Sequence, residues 1–172
     1  MLAERVKPII VSSKDLKGEF VEDYWKALFE AGTLQHRFGH IESPSWADAV
    51  FMMTDPRYLM FSVLDGGKIV AEFALENFTG KAAQIHFSMH PDNHSLYSFN
   101  LCVDVIQELL NTWEDSDGQP YLHSLFGITP IPNKVACRFI QKCGFERLGI
   151  LPSGTKHLGE VCDALLTVMT RK

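Results

Sequence analysis

His86 is the side chain best suited to take up a proton near neutral pH, because an unperturbed imidazole titrates in that range. It lies in Ala82–Met89, where Ile85, Phe87 and Met89 alternate with Gln84, His86 and Ser88. Such a strand buries one face and keeps the other polar. Glu72 and Glu76 fall in the segment before it, so two carboxylates belong to the neighbouring strand. Either can serve as a base, and either can equally be a solvated strand-face residue. For His86 the plain alternative is a ring that bonds a backbone carbonyl. His86, His90 and His94 are spaced by four, which on one helix suggests a metal site. Pro91 divides strand from loop between them, so no metal is expected. No pattern resembles a Ser-His-Asp triad, a P-loop or a GxGxxG fingerprint.

These residues need a scaffold, and the chain supplies strong signals for one. Lys7 to Ser12 is short and β-branched, so a first strand is expected over 6–12. Phe20, Val21, Tyr24, Trp25, Leu28 and Phe29 recur at helical spacing up to Gly32. The stretch 33–43 has no period and holds His36, Arg37, Phe38 and His40, which is a connection or a cleft lining. Ser45 with Asp48 three residues on resembles a capping box. Trp46, Ala49, Val50 and Met53 then form the apolar face of a short helix ended by Asp55-Pro56. Three strands are expected over 58–64, 68–77 and 82–89, with Asp65-Gly66-Gly67 as a hairpin turn. Phe99, Cys102, Val103, Ile106, Leu109, Leu110 and Trp113 mark a four-turn helix. A buried strand is expected over 122–128.

After Thr129-Pro130-Ile131-Pro132 a helix opens at Asn133, with Val135, Ala136, Phe139, Ile140 and Cys143 on one face. Gly144 is placed to end it in left-handed geometry, and Phe145 to return to the core. A short strand over 148–151, a Gly-rich connection over 152–159 and a strand over 163–170 close the chain. The order β-α-α-β-β-β-α-β-α-β-β predicts an α/β (α+β) fold. Its sheet is mixed and mostly antiparallel, with about seven strands and helices on both faces.

The 172 residues suggest a single domain over 1–172. A formal net charge of -5 and the lack of any Lys/Arg run argue against nucleic acid and acidic membrane surfaces as partners. The four cysteines, Cys102, Cys137, Cys143 and Cys162, form no CxxC pair. They read as reduced thiols, which points to the cytoplasm. No signal peptide or membrane span is expected.

The pattern Asn133-x-x-Ala136-x-x-x-Ile140-x-Lys142-x-Gly144-Phe145 resembles the fourth helix of the GNAT N-acetyltransferase superfamily, and the element order is similar to that fold over nearly the whole chain. Within the superfamily the C-terminal half looks most like acetyltransferases of ribosomal-protein N-termini and GNAT-like proteins of bacteriophages. The resemblance implies transfer of an acetyl group from acetyl-CoA, the co-substrate, to a primary amine by direct attack. It implies that the strand holding His86 splays from the one holding Phe126 and admits the pantetheine arm. Backbone amides near Phe87 and Met89 then polarise the thioester carbonyl, and Asn133 holds the pantetheine side. The loop and helix start at His94, Ser95, Leu96 and Tyr97 take the pyrophosphate. His86 becomes the base, with Glu72 and Glu76 next.

Two departures from the family's pattern stand out. His94 occupies the basic slot of the pyrophosphate loop, but Ser95 and Tyr97 occupy glycine slots, where Tyr97 could block the phosphates. Ile140 takes the slot where many members carry a Tyr that protonates the leaving thiolate; Cys137, on the same helix, is the substitute acid or a core residue. These departures keep two other readings open, a GNAT fold used only for binding or structure and a transferase with another acyl donor. The acceptor is a small-molecule or protein amine. Leu165, Leu166, Val168 and Met169 fit either a dimer contact or an interior strand.

Overall fold

The computed structural model describes residues 9–16, 18–34, 41, 44–93 and 96–171. The loop residues His36, Arg37, Phe38 and His40, as well as His94 and Ser95, lie outside them. Seven strands, β1 (Ile9–Ser12), β2 (Leu59–Asp65), β3 (Lys68–Thr79), β4 (Ala82–Met89), β5 (Ser124–Pro130), β6 (Glu146–His157) and β7 (Glu160–Thr170), form one sheet. Its order is β1-β2-β3-β4-β5-β7-β6. Only β4 and β5 pair in parallel. The other neighbours are antiparallel. The main helices are α1 (Gly18–Glu30), α2 (Trp46–Thr54), α3 (Leu96–Asn111) and α4 (Lys134–Lys142). The order of elements is the one the sequence predicts.

Each face of the sheet has its own core. On one face Val21, Tyr24, Trp25 and Leu28 of α1 are buried against Met60, Ile69 and Ala74. That spacing is the apolar stripe of an amphipathic helix. Phe29 belongs to the expected stripe by count but projects outward, 54% exposed. On the other face Leu101, Cys102, Val105, Ile106, Leu109 and Leu110 of α3 pack with Phe73, Ile85, Leu125 and Ile140.

Local signals are realised in detail. The Asp48 carboxylate accepts from the Ser45 backbone N–H at 2.7 Å and from Ser45 Oγ at 2.7 Å. This satisfies an N–H at the start of α2 that has no partner within the helix. In α2 Met53 packs against the α1-side core as expected and Met52 is buried beside it, while Val50 is exposed. Gly144 adopts φ +95° after α4. The Phe145 N–H then returns to the Ile140 carbonyl at 3.3 Å, and Phe145 enters the core.

The C-terminal hairpin differs from expectation. The Gly-rich connection over 152–159 is mostly strand: β6 runs through it to His157, and β7 begins at Glu160. Pro152 has no N–H to give a ladder, but β6 is an edge strand and its register shifts between Leu151 and Thr155. A proline is tolerated at such a bulge. β7 is interior, between β5 and β6. That position fits the interior-strand reading of Leu165, Leu166, Val168 and Met169. The four cysteines are free thiols. No helix among the described residues is long and apolar enough to cross a membrane.

Candidate active site

The parallel pairing of β4 with β5 covers only Ala82–Gln84 against Ser124–Phe126. Beyond it the two strands part, and a cavity of about 700 Å³ opens between them. Its walls come from both strands: Ile85 to Met89 on one side, Gly127 to Pro130 on the other. Asn133, Val135, Ala136, Phe139 and Ile140 of α4 and its cap close one end, and Leu28 and Thr33 border the other.

Strand alternation gives the cavity its character. Side chains at 85, 87 and 89 point to the α3–α4 face, and those at 86 and 88 to the α1 face. Both sets line the same space. The cavity therefore passes through the sheet, connecting its two faces. The backbone follows the same alternation. The His90 N–H donates to Val70 O at 2.9 Å, so the amides at 86 and 88 also face β3. The amides of Phe87 and Met89 then turn toward the gap, where β5 has already left the ladder.

On the α3–α4 side the wall is aromatic and aliphatic. Phe87 lies with its ring centroid 5.3 Å from Phe139 and 5.9 Å from Phe73. Ile140, in the slot where a proton donor is sought, is buried and apolar. Asn133 caps α4: its Oδ1 accepts the Ala136 N–H at 3.0 Å. Asn133 also borders the cavity. Asn133→Ala is expected to lower stability by about 1 kcal/mol through loss of that cap, read as a reduced denaturant midpoint, with Asn133→Asp retaining most of it.

On the α1 side the wall is polar. His86 Nε2 bonds the Glu76 carboxylate. The donor and acceptor roles at Nε2 follow the tautomer of the ring. Gln84 Nε2 stands 3.0 Å from the same nitrogen, and Asn77 Nδ2 donates to Gln84 Oε1 at 2.9 Å. Glu76 and Gln84 face each other across the β3–β4 hairpin, and this places both beside His86. Ser88 is held by Tyr24, whose hydroxyl donates to Ser88 O at 2.8 Å.

The expected site residues separate under this geometry. His86, Phe87, Met89 and Asn133 are brought together at the cavity. Leu96 and Tyr97 form the first turn of α3, where backbone N–H groups lack intrahelical partners. Glu72 is not at the cavity. It is 2% exposed and accepts from Ser62 Oγ at 3.1 Å, beneath α1. Glu76 occupies the position beside His86 instead. Cys137 is not among the lining residues either. Its thiol donates to Pro130 O at 3.4 Å, and burial raises its pKa, opposed by Lys134. Among the described residues no three His, Cys, Asp or Glu side chains gather as a metal site. Gln84 and Asn77 are participants that sequence reasoning left unnamed, although Gln84 shares the polar face of β4 with His86.

No protein-family profile matches the sequence, and no curated protein matches it. Solved structures match the fold. A ribosomal-protein-S5-alanine acetyltransferase from Vibrio fischeri superposes with a TM-score of 0.70 at 13% identity, covering 98% of this chain and 96% of that one. A spermidine N-acetyltransferase from Vibrio cholerae, in complex with CoA and spermine, gives 0.71 at 13% identity over 96% of each chain. RimJ from Mycobacterium smegmatis, in complex with CoA-disulfide, gives 0.70 at 13% identity over 90% of this chain and 79% of that one. The chain has the fold of the GNAT N-acetyltransferases.

Proposed function

We propose that this chain, acting as one domain over 1–172 in the cytoplasm, is an N-acyltransferase that moves an acetyl group from acetyl-CoA to a primary amine. The observation that carries the reading is the cavity that crosses the sheet where β4 and β5 part. It gives donor and acceptor separate entrances on opposite faces and one meeting point. The walls fit a thioester arm: Phe87, Phe139, Ile128 and Ile140 supply apolar surface, and the gap between the strands leaves strand amides without a β5 partner. The thioester supplies an electrophilic carbonyl and a thiolate leaving group.

The chain's own residues do the rest. The amides of Phe87 and Met89 stand where a developing oxyanion needs fixed donors. Asn133 offers its amide N–H₂ to the arm, its Oδ1 being engaged in the cap. The first turn of α3, at Leu96 and Tyr97, presents N–H groups and the positive helix end to the phosphates, with His94 and Ser95 preceding it. Glu76 orients the ring of His86 and favours its protonated form. His86 then accepts the acceptor ammonium's proton, directly or through water. The Glu76 carboxylate beside His86 and the net charge of -5 favour a cationic acceptor.

The neighbours' acceptors set the first screen. Incubation with acetyl-CoA and either a polyamine or a peptide with a free N-terminus should release free CoA thiol in proportion to acylated amine. Tyr97 and Ile140, at slots for glycine and for the acid, favour a second reading in which the fold binds without transferring. Acetyl-CoA binding with no turnover across a broad amine set would support it. Transfer from an acyl-carrier protein or aminoacyl-tRNA, with none from acetyl-CoA, would replace the donor.

A further inference from the structure

Ser88 brings a hydroxyl to the same wall as His86. The two residues stand two apart on β4, so their side chains project to the α1 face in the same direction, about 7 Å from each other. Both residues line the cavity, and both are partly exposed.

Tyr24 decides what that hydroxyl can offer. A phenol carries one proton, and a carbonyl oxygen only accepts. Tyr24 gives its proton to the Ser88 carbonyl at 2.8 Å. The Tyr24 Oη also lies 2.9 Å from Ser88 Oγ. With its own proton committed, Tyr24 accepts at this second contact and Ser88 donates. Tyr24 is 2% exposed and packed in the core of that face, which holds the pair in place. The serine hydroxyl is then left with lone pairs and no proton for the cavity. Such a group suits a ligand that brings hydrogen-bond donors, and is a poor partner for a carboxylate, which only accepts.

We infer that Ser88 Oγ accepts a hydrogen bond from the nitrogen of the acceptor amine and holds it beside His86 for attack on the thioester. The inference rests on the transferase reading. A primary ammonium brings three N–H donors. One proton passes to His86, directly or through water, while a second N–H stays on Ser88 Oγ. The lone pair freed by deprotonation turns to the carbonyl carbon. There the carbon–nitrogen bond forms, the carbon–sulfur bond breaks, and its electron pair leaves on sulfur. The nitrogen then gives up one more proton and the thiolate takes one, both through solvent. The last N–H, now that of the amide, is the one Ser88 held.

The test measures acetyl transfer by the full chain to spermine and to a peptide with a free N-terminal alanine, with acetyl-CoA and acceptor varied separately. Ser88→Ala should lower kcat/KM for the acceptor about tenfold or more, the scale of a hydrogen bond to a charged group. The KM for acetyl-CoA, calorimetric binding of CoA and the melting temperature should stay near wild-type values, because Tyr24 keeps its bond to the carbonyl at 88. Ser88→Thr, which retains the hydroxyl, should recover most of the rate. Wild-type kcat/KM for the acceptor in Ser88→Ala overturns the inference. An equal loss for acceptor and CoA together with a lower melting temperature also overturns it, by making the hydroxyl structural. Binding of acetyl-CoA by wild type with no transfer to these or any amine of a broad set overturns the transferase reading, and this inference with it.

Discussion

Replacing His86 with Ala is expected to lower the rate of acetyl transfer at pH 7 by about a hundredfold or more, within the range that positioned general bases contribute. Ala74 lies opposite His86, and Glu76 opposite Gln84, so β3 brings a carboxylate diagonally to the imidazole. The carboxylate orients the ring and favours its protonated form. Without the ring, transfer depends on the small fraction of acceptor already present as free amine. The variant's rate should therefore rise with pH toward the pKa of an alkylamine, about 10.4, whereas the wild-type rate levels off earlier. Glu76→Gln should give a smaller loss, about tenfold, because the ring remains but its orientation loosens. A His86→Ala enzyme with wild-type rate and pH profile would assign the ring to structure.

Phe73→Ala is expected to cost about 3–5 kcal/mol of stability, the cost of truncating a buried aromatic side chain. Phe73 is fully buried at the middle of β3, within the core that also holds Phe87, Ile85 and the apolar face of α3. Its ring also supports Phe87, which in turn meets Phe139 of α4. The substitution thus removes a central packing element and the backing of a cavity wall together. The unfolding midpoint in urea reads the first effect. A loss below about 1 kcal/mol would show that the neighbouring side chains collapse into the space.

The elements that could be read in advance are those whose signal is local. The stripe Val21, Tyr24, Trp25 and Leu28 gives α1, and Cys102, Ile106, Leu109 and Leu110 give α3, because burial at helical spacing leaves a direct trace in the residue types. Gly144 and Phe145 end α4 as their chemistry requires. β6 was harder, since Pro152 and Gly154 are breakers by propensity. Only its edge position and bulge allow a strand through them. In α2 a nine-residue helix offers few turns from which to read a face: Met53 packs inward as expected, Met52 joins it, and Val50 is exposed.

The site was partly legible. His86, Phe87, Met89 and Asn133 could be named from strand alternation, helix capping and family resemblance together. The choice between Glu72 and Glu76 could not, because it depends on hairpin register and on depth beneath α1. Ala74 lies opposite His86, so Glu72 and Glu76 stand two residues to either side of it, and only the folded side chains show that Glu76 meets the ring.

The central claim is that the parting of β4 and β5 is a donor site. Calorimetric titration of acetyl-CoA into the purified protein, with desulfo-CoA alongside, tests it most directly. The account predicts saturable one-to-one binding of both compounds in the micromolar range, with Tyr97 and Ser95 at the glycine slots notwithstanding. No binding of either compound at millimolar concentration would contradict it.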